Sequence, residues 1–201
     1  NVTGVQTCAL PISLSELEYS ELVTGLNQLC DELDATPELP EMSEIMALAK
    51  QLYQLVHEFD VQLSINVKAK GAPWILSTLR PALQRQGLEL RPDGRLVMPD
   101  GDGAVLYSVL TNRNAADDTS TLMTLLLPVA TVAPEREGFK SMTAFAKSLA
   151  TRLSGVVVDD DGHPLSDAAL AAIAQQIDAF YEAMQRTGIE PGSVRAQRLF
   201  A

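Results

Sequence analysis

The hydrophobic period of the chain changes at Asp60, and this change constrains the fold more than any other feature. Before Asp60, apolar residues recur every three or four positions, which is the spacing of one face of an α-helix. After it, Val61, Leu63 and Ile65 alternate with polar residues, which is the spacing of a half-buried strand. The helical positions are Leu22, Leu26, Leu29 and Leu33 and, beyond Pro37 and Pro40, Ile45, Ala49, Leu52, Val56 and Phe59. We therefore predict two amphipathic helices, a domain boundary and then a strand.

Turn sequences and periodicity predict the elements downstream of this strand. Gly71 and Pro73 open a helix that runs to about residue 86, and Pro81 is expected to distort or split it. The segments PDG and PDGDG are turns suited to antiparallel hairpins. The other predicted elements are strands at 88–91, 96–98, 104–111, 121–127 and 155–159, a helix over 139–153, and a last helix from the cap Ser166 to Met184.

This order of elements predicts an α+β fold of the split β-α-β kind. The sheet has six mostly antiparallel strands with three helices on one face, and a two-helix segment precedes it. The first thirteen residues, NVTGVQTCALPIS, resemble a translated sequencing adapter and are expected to be disordered. The predicted domains are therefore residues 1–13 as an artefact, 14–59 as the helical segment, 60–187 as the main domain, and 188–201 as a loose tail with Arg195, Arg198 and Phe200.

Two strands of the predicted sheet carry apolar residues on both sides. Parity predicts that one set contacts the helices, namely Val61, Leu63, Ile65, Met123, Leu125 and Leu127. Leu110, Leu122 and Leu126 then lie on the opposite face. A face in permanent contact with water would carry polar residues instead, so this second face must be covered at least some of the time. Either residues 14–58 cover it or a partner does.

Charge and composition exclude several classes of function. The net charge is −11, and residues 14–60 hold eleven of the 26 acidic residues against one base, Lys50. Such a surface argues against nucleic acid as a ligand. Two cysteines and two histidines provide no zinc set at ligand spacing and indicate a reducing compartment, so we predict no metal and no cofactor. No segment approaches the roughly 18 apolar residues of a membrane span, so the fragment is expected to be soluble.

Four segments together resemble a known family. They are VQLSINV, VLYSVLTNR, the block EREGFKSMTAFAKSLATRLSGVVVDDDGHPLS, and the closing helix. Their order and spacing are similar to those of the C-terminal FtsZ-binding domain of the ZipA family of bacterial cell division. The resemblance implies that the helix-free sheet face forms a shallow apolar groove for the C-terminal tail peptide of the tubulin-like FtsZ.

The resemblance also implies a set of groove residues. The family's better-known members have aliphatic residues at the positions of Gln62 and Ser64 and a large aromatic residue at the position of Thr124, so this groove is expected to be more polar on one side. Arg113 is the nearest substitute for a basic residue that the family offers to the peptide. The predicted peptide-binding residues, with Leu122 added from parity, are Gln62, Ser64, Leu96, Met98, Leu110, Asn112, Leu122, Thr124 and Leu126.

The function implied by the resemblance is non-enzymatic and belongs to septum assembly. The domain would tether or stabilise the division ring on the cytoplasmic side of the inner membrane, through an anchor in a missing N-terminal part. A branch of the family shares ELEYSEL and PELPEM with this chain, and in that branch a degenerate copy precedes the domain. Residues 14–59 are therefore predicted to be the end of such a copy.

Two alternative functions remain. The chain is either a generic α+β interaction domain for another partner, or a small magnesium-dependent enzyme that uses Asp159, Asp160 and Asp161 beside His163. Against the enzyme, consecutive carboxylates in a strand point alternately, no phosphate-binding loop accompanies them, and DDG is typical of a turn. This turn is expected to lie outside the groove. RNA binding would need aromatic and basic residues where the second face has leucines.

Overall fold

The computed structural model describes residues 14–200. They fall into two compact units that divide between Phe59 and Asp60, the position at which the hydrophobic period changes. None of the described helices combines the length and the apolar character that a membrane span requires.

Residues 14–59 form two helices, α1 (Glu16–Glu32) and α2 (Met42–Phe59). The Tyr19 hydroxyl donates a hydrogen bond to the carbonyl of Pro40, so the connector between the helices is tied to α1. Within the described residues this connector contains no strand. Many leucines of the two helices are exposed, namely Leu17, Leu22, Leu29, Leu48 and Leu52, as is Leu33 directly after α1.

Residues 60–200 are built on a six-stranded sheet in which every pair of neighbouring strands is antiparallel. The strands in chain order are β1 (Gln62–Ala69), β2 (Trp74–Ile75), β3 (Glu89–Leu90), β4 (Leu96–Pro99), β5 (Val105–Thr111), β6 (Thr119–Ser120), β7 (Leu122–Pro128) and β8 (Gly155–Val158). The order across the sheet is β3-β4-β5-β7-β1-β8, while β2 and β6 pair as a separate ribbon. In the PDG turn before β4, Gly94 has φ of +82°, which glycine adopts without strain.

Three helices cover one face of this sheet, as predicted. They are α3 (Leu76–Gln84), α4 (Gly138–Arg152) and α5 (Asp167–Arg186). Their apolar residues join those of the strands in one buried cluster, to which the sheet contributes Leu63, Ile65, Val67, Leu96, Tyr107, Val109, Met123, Leu125, Leu127 and Val157. The predicted helix-facing set is thus confirmed for β1 and β7. Along the chain, β8 lies between α4 and α5, whereas no strand lies between α1 and α2. Residues 14–59 therefore lack one element of the repeat, and the upstream copy stays a prediction.

The predicted helix over residues 71–86 is wrong at its start. α3 begins only at Leu76, because Trp74 and Ile75 are held extended in β2 by pairing with β6. The indole nitrogen of Trp74 donates to the carbonyl of Leu153 at 2.9 Å, which also fixes this segment. The helix continues through Pro81, since the proline removes a single backbone hydrogen bond and buried leucines anchor the helix on both sides of it.

The C-terminal segment, expected to be loose, is packed onto the domain. It forms α6 (Val194–Phe200), and Ala196 is fully buried. The Gln197 side chain donates to the carbonyl of Thr131 at 2.7 Å. At Gly192, φ is +72° and an added Cβ would lie 2.4 Å from the amide nitrogen of Ala133, so glycine is required there. The compact domain therefore extends beyond residue 187.

Candidate functional site

The register of the central strands decides which residues lie opposite the helices. Directly opposed residues of an antiparallel pair share a face. Ser64 of β1 pairs with Leu126 of β7, and Leu126 pairs with Ser108 of β5. We call the side of the sheet away from α3, α4 and α5 the second face. Its residues on β1, β4, β5 and β7 include Gln62, Ser64, Asn66, Lys68, Val97, Ser108, Leu110, Leu122, Thr124 and Leu126. On β8 they are Val156 and Val158, which pair with Lys68 and Asn66.

Leu96 and Met98 do not belong to this face, contrary to the prediction. Leu96 pairs with Val109 and Met98 pairs with Tyr107, and both partners face the helices. Leu96 lies in the core and Met98 packs against it. The predicted orientation of β4 was wrong by one residue, because the side chains on both sides of this strand are apolar. Val97 is the residue of β4 on the second face, and it is buried.

The half of the second face on β5 and β7 carries three leucines beside Ser108 and Thr124, and we call it the aliphatic half. Leu110 is exposed, and Leu122 and Leu126 are half-buried. All three lie on the face predicted for them. Because alternate residues of the same strands are locked in the core, these leucines are held on a rigid sheet.

The half of the second face on β1 is polar and is organised by Asp160, which comes from the turn after β8. Ser64 Oγ donates to the two carboxylate oxygens of Asp160 at 2.8 and 2.9 Å. Asn66 Nδ2 donates to Asp160 Oδ1 at 2.7 Å, and Asn66 Oδ1 accepts a hydrogen bond from Thr124 Oγ1 at 2.6 Å. Asp160 therefore borders the second face. Neither Asn66 nor Asp160 was among the predicted peptide-binding residues, and Asp160 was considered only as part of the alternative magnesium site.

Asn112 has a structural role at the edge of the second face. Its Oδ1 accepts hydrogen bonds from Ser120 Oγ at 2.7 Å, from the Thr121 amide at 3.1 Å and from the Leu122 amide at 2.8 Å. Its Nδ2 donates to Thr121 Oγ1 at 3.2 Å. The side chain thus fixes the start of β7 beside the end of β5. Arg113, the predicted basic contact, pairs with Asp118 at 3.1 Å.

The aspartate turn after β8 has the geometry of a hydrogen-bonded turn, as its sequence predicts. Asp159 Oδ1 accepts a hydrogen bond from the His163 amide at 2.8 Å, and the Gly162 amide donates to the Asp159 carbonyl at 3.1 Å. Ligand atoms of Asp159, Asp161 and His163 lie within 4.8 Å of one another. Asp161 and His163 are exposed, and exposed acidic groups of this kind are common without a metal. The turn therefore carries no assignment as a magnesium site.

Residues 61–176 match the family model described as ZipA, C-terminal FtsZ-binding domain. No curated protein matches the chain. The matched range begins just before β1 and ends within α5, so it contains both faces of the sheet and the turn that carries Asp160.

Proposed function

The chain belongs to the family of the ZipA C-terminal FtsZ-binding domain, a protein-binding family of cell division, and from this premise we propose that its second face binds the C-terminal tail peptide of FtsZ. The supporting observation is the aliphatic half of that face. A sheet covered by helices on one side still presents Leu110, Leu122 and Leu126 on the other. Apolar surface that remains accessible on a folded domain is typical of a protein-binding site.

The expected mode of binding is burial of a few aliphatic side chains of the peptide against this face. Each fully buried side chain contributes roughly 1.5–3 kcal/mol. Ordering of a flexible tail offsets much of this gain. We therefore expect micromolar affinity.

In the cell, binding to the FtsZ tail would tether or stabilise the division ring. We propose that the protein does this on the cytoplasmic side of the inner membrane. The support is the family membership alone.

Titration of a fluorescently labelled FtsZ tail peptide with the whole chain tests the proposal. Leu126→Asp should weaken binding by at least tenfold, because it places a charge in the aliphatic half. Leu90→Asp is the matched control, because Leu90 pairs with Leu96 and so belongs to the other side of the sheet. Thermal unfolding of both variants checks that they fold. Undiminished binding by a folded Leu126→Asp variant would show that the second face is not the site.

A further inference from the structure

The second face presents a fixed negative charge beside its aliphatic half. Ser64 and Asn66 lie on β1, and Asp160 lies 96 and 94 residues away from them along the chain. Asn66 is 4% exposed and both polar atoms of its side chain are hydrogen-bonded, so it is a rigid support for the carboxylate. Asp160 itself is exposed. The strands thus hold the Asp160 carboxylate in one position on this face.

This carboxylate retains capacity for further hydrogen bonds. It receives one hydrogen from the Ser64 hydroxyl, shared between its oxygens, and one from the Asn66 amide. A carboxylate offers about four lone-pair sites. About two sites therefore remain for a donor from outside the domain.

The charge of Asp160 has no partner cation in the part of the chain that the structure describes. No ammonium or guanidinium nitrogen of residues 14–200 lies within 4.0 Å of its carboxylate. Lys68 Nζ lies beside the same turn, 4.0 Å from the position of a Cβ on Gly162. The other charged or titratable groups of the turn are Asp159, Asp161 and His163, and the two aspartates add negative charge.

Asp160 lies close to the aliphatic half of the second face. Ser64, which holds the carboxylate, is directly opposite Leu126 on β7. Directly opposed side chains have Cβ atoms about 4.5–5.5 Å apart. A peptide that covers Leu126 therefore brings its neighbouring residues to the Asp160 carboxylate.

We infer that Asp160 selects a ligand with a lysine or arginine close to its aliphatic residues, and that it binds this cation through a charge-assisted hydrogen bond. The inference rests on the proposed function, since it concerns the composition of the peptide bound by the second face. Asp160 is a specificity-determining residue on this account, and Ser64 and Asn66 position it.

A double-mutant cycle on the whole chain tests the inference. The two peptides are the FtsZ tail and a version in which every Lys and Arg is replaced by Gln. The two proteins are the wild type and Asp160→Asn, whose amide can still bond with Ser64 and Asn66. Asp161→Asn is the matched control, because it removes the same charge from the same turn while Asp160 stays in place.

We expect the wild type to prefer the basic peptide by about two- to fivefold at low salt, the range of an exposed ion pair. This preference should vanish in Asp160→Asn, persist in Asp161→Asn, and weaken as salt screens the charges.

Equal binding of both peptides by the wild type would overturn the inference, and so would an unchanged preference in Asp160→Asn or an equal loss of preference in Asp161→Asn. A natural tail peptide that binds without any Lys or Arg would also overturn it. If neither peptide binds the wild type at all, the proposed function fails first.

Discussion

Replacement of Leu110 by alanine tests the aliphatic half of the second face with a magnitude that follows from the structure. Leu110 is 38% exposed, so a bound peptide can cover at most that fraction of it. Full burial of a leucine contributes about 1.5–3 kcal/mol, and 38% of this is about 0.6–1.1 kcal/mol. Since about 1.4 kcal/mol changes Kd tenfold, the expected weakening is about three- to sevenfold.

The assay is fluorescence anisotropy with a labelled FtsZ tail peptide and the whole chain. Leu90→Ala is the matched control, because Leu90 is 53% exposed but lies on the other side of the sheet. This control should leave Kd within about twofold of the wild type. Thermal unfolding of each variant, measured at the concentration of the binding assay, shows that the protein is folded when it is tested for binding.

Three outcomes would contradict the reasoning. An unchanged Kd in Leu110→Ala would mean that the peptide does not cover this residue. Equal losses of affinity in Leu110→Ala and Leu90→Ala would mean that the loss does not arise from contacts at the second face. A loss of more than about a hundredfold in a folded variant would exceed what the exposed area can contribute.

Three further predictions concern stability. Asn112→Ala should lower the free energy of unfolding by about 2–4 kcal/mol, because three accepted hydrogen bonds are lost, whereas Asn112→Asp keeps the acceptors and should cost less than half as much; equal losses in urea titrations would contradict this. Residues 60–201 alone should unfold in one cooperative transition. A chain that ends at residue 187 should be less stable, because the buried Ile189 and Ala196 are removed. Identical unfolding midpoints with and without residues 188–201 would contradict the packing of the tail. Burial raises the pKa of Tyr181 to about 12 from 10.0, so its contribution to stability is complete below pH 10 and is lost as the pH rises towards 12. The unfolding midpoint of Tyr181→Phe should therefore fall less than that of the wild type over this range. Superimposable curves of midpoint against pH would refute the raised pKa of Tyr181.

The sequence predicted the faces of β1 and β7 because a period of two leaves few alternatives when one side of β1 is polar. Gln62 and Ser64 cannot enter the core without losing their hydrogen bonds to water or to partners, so Leu63 and Ile65 must. Because β1 pairs with β7, Leu126 lies on the same face as Ser64, which is directly opposite it.

The sequence did not predict the face of β4 or the role of Asp160. The strand LVMP is apolar at both parities, so only its pairing with β5 decides that Val97 belongs to the second face. Asp160 reaches Ser64 because β8 lies beside β1 in the sheet, and no local pattern reveals a contact between residues 96 apart. The short helix α6 was missed for a related reason, since its packing depends on contacts of Gly192 and Gln197 with the turn at 129–133.

The alternation in β7 also bears on how this surface can change during evolution. A shift of β7 by one residue would replace Leu122, Thr124 and Leu126 on the second face by Met123, Leu125 and Leu127, so Thr124 is the only polar side chain that would turn towards the core. The same shift in β1 would turn Asn66 and Lys68 towards the core, where an amide and a charge without partners are costly. Since β1 pairs with β7 along its length, the second face of this domain is expected to tolerate substitutions better than insertions or deletions in either strand.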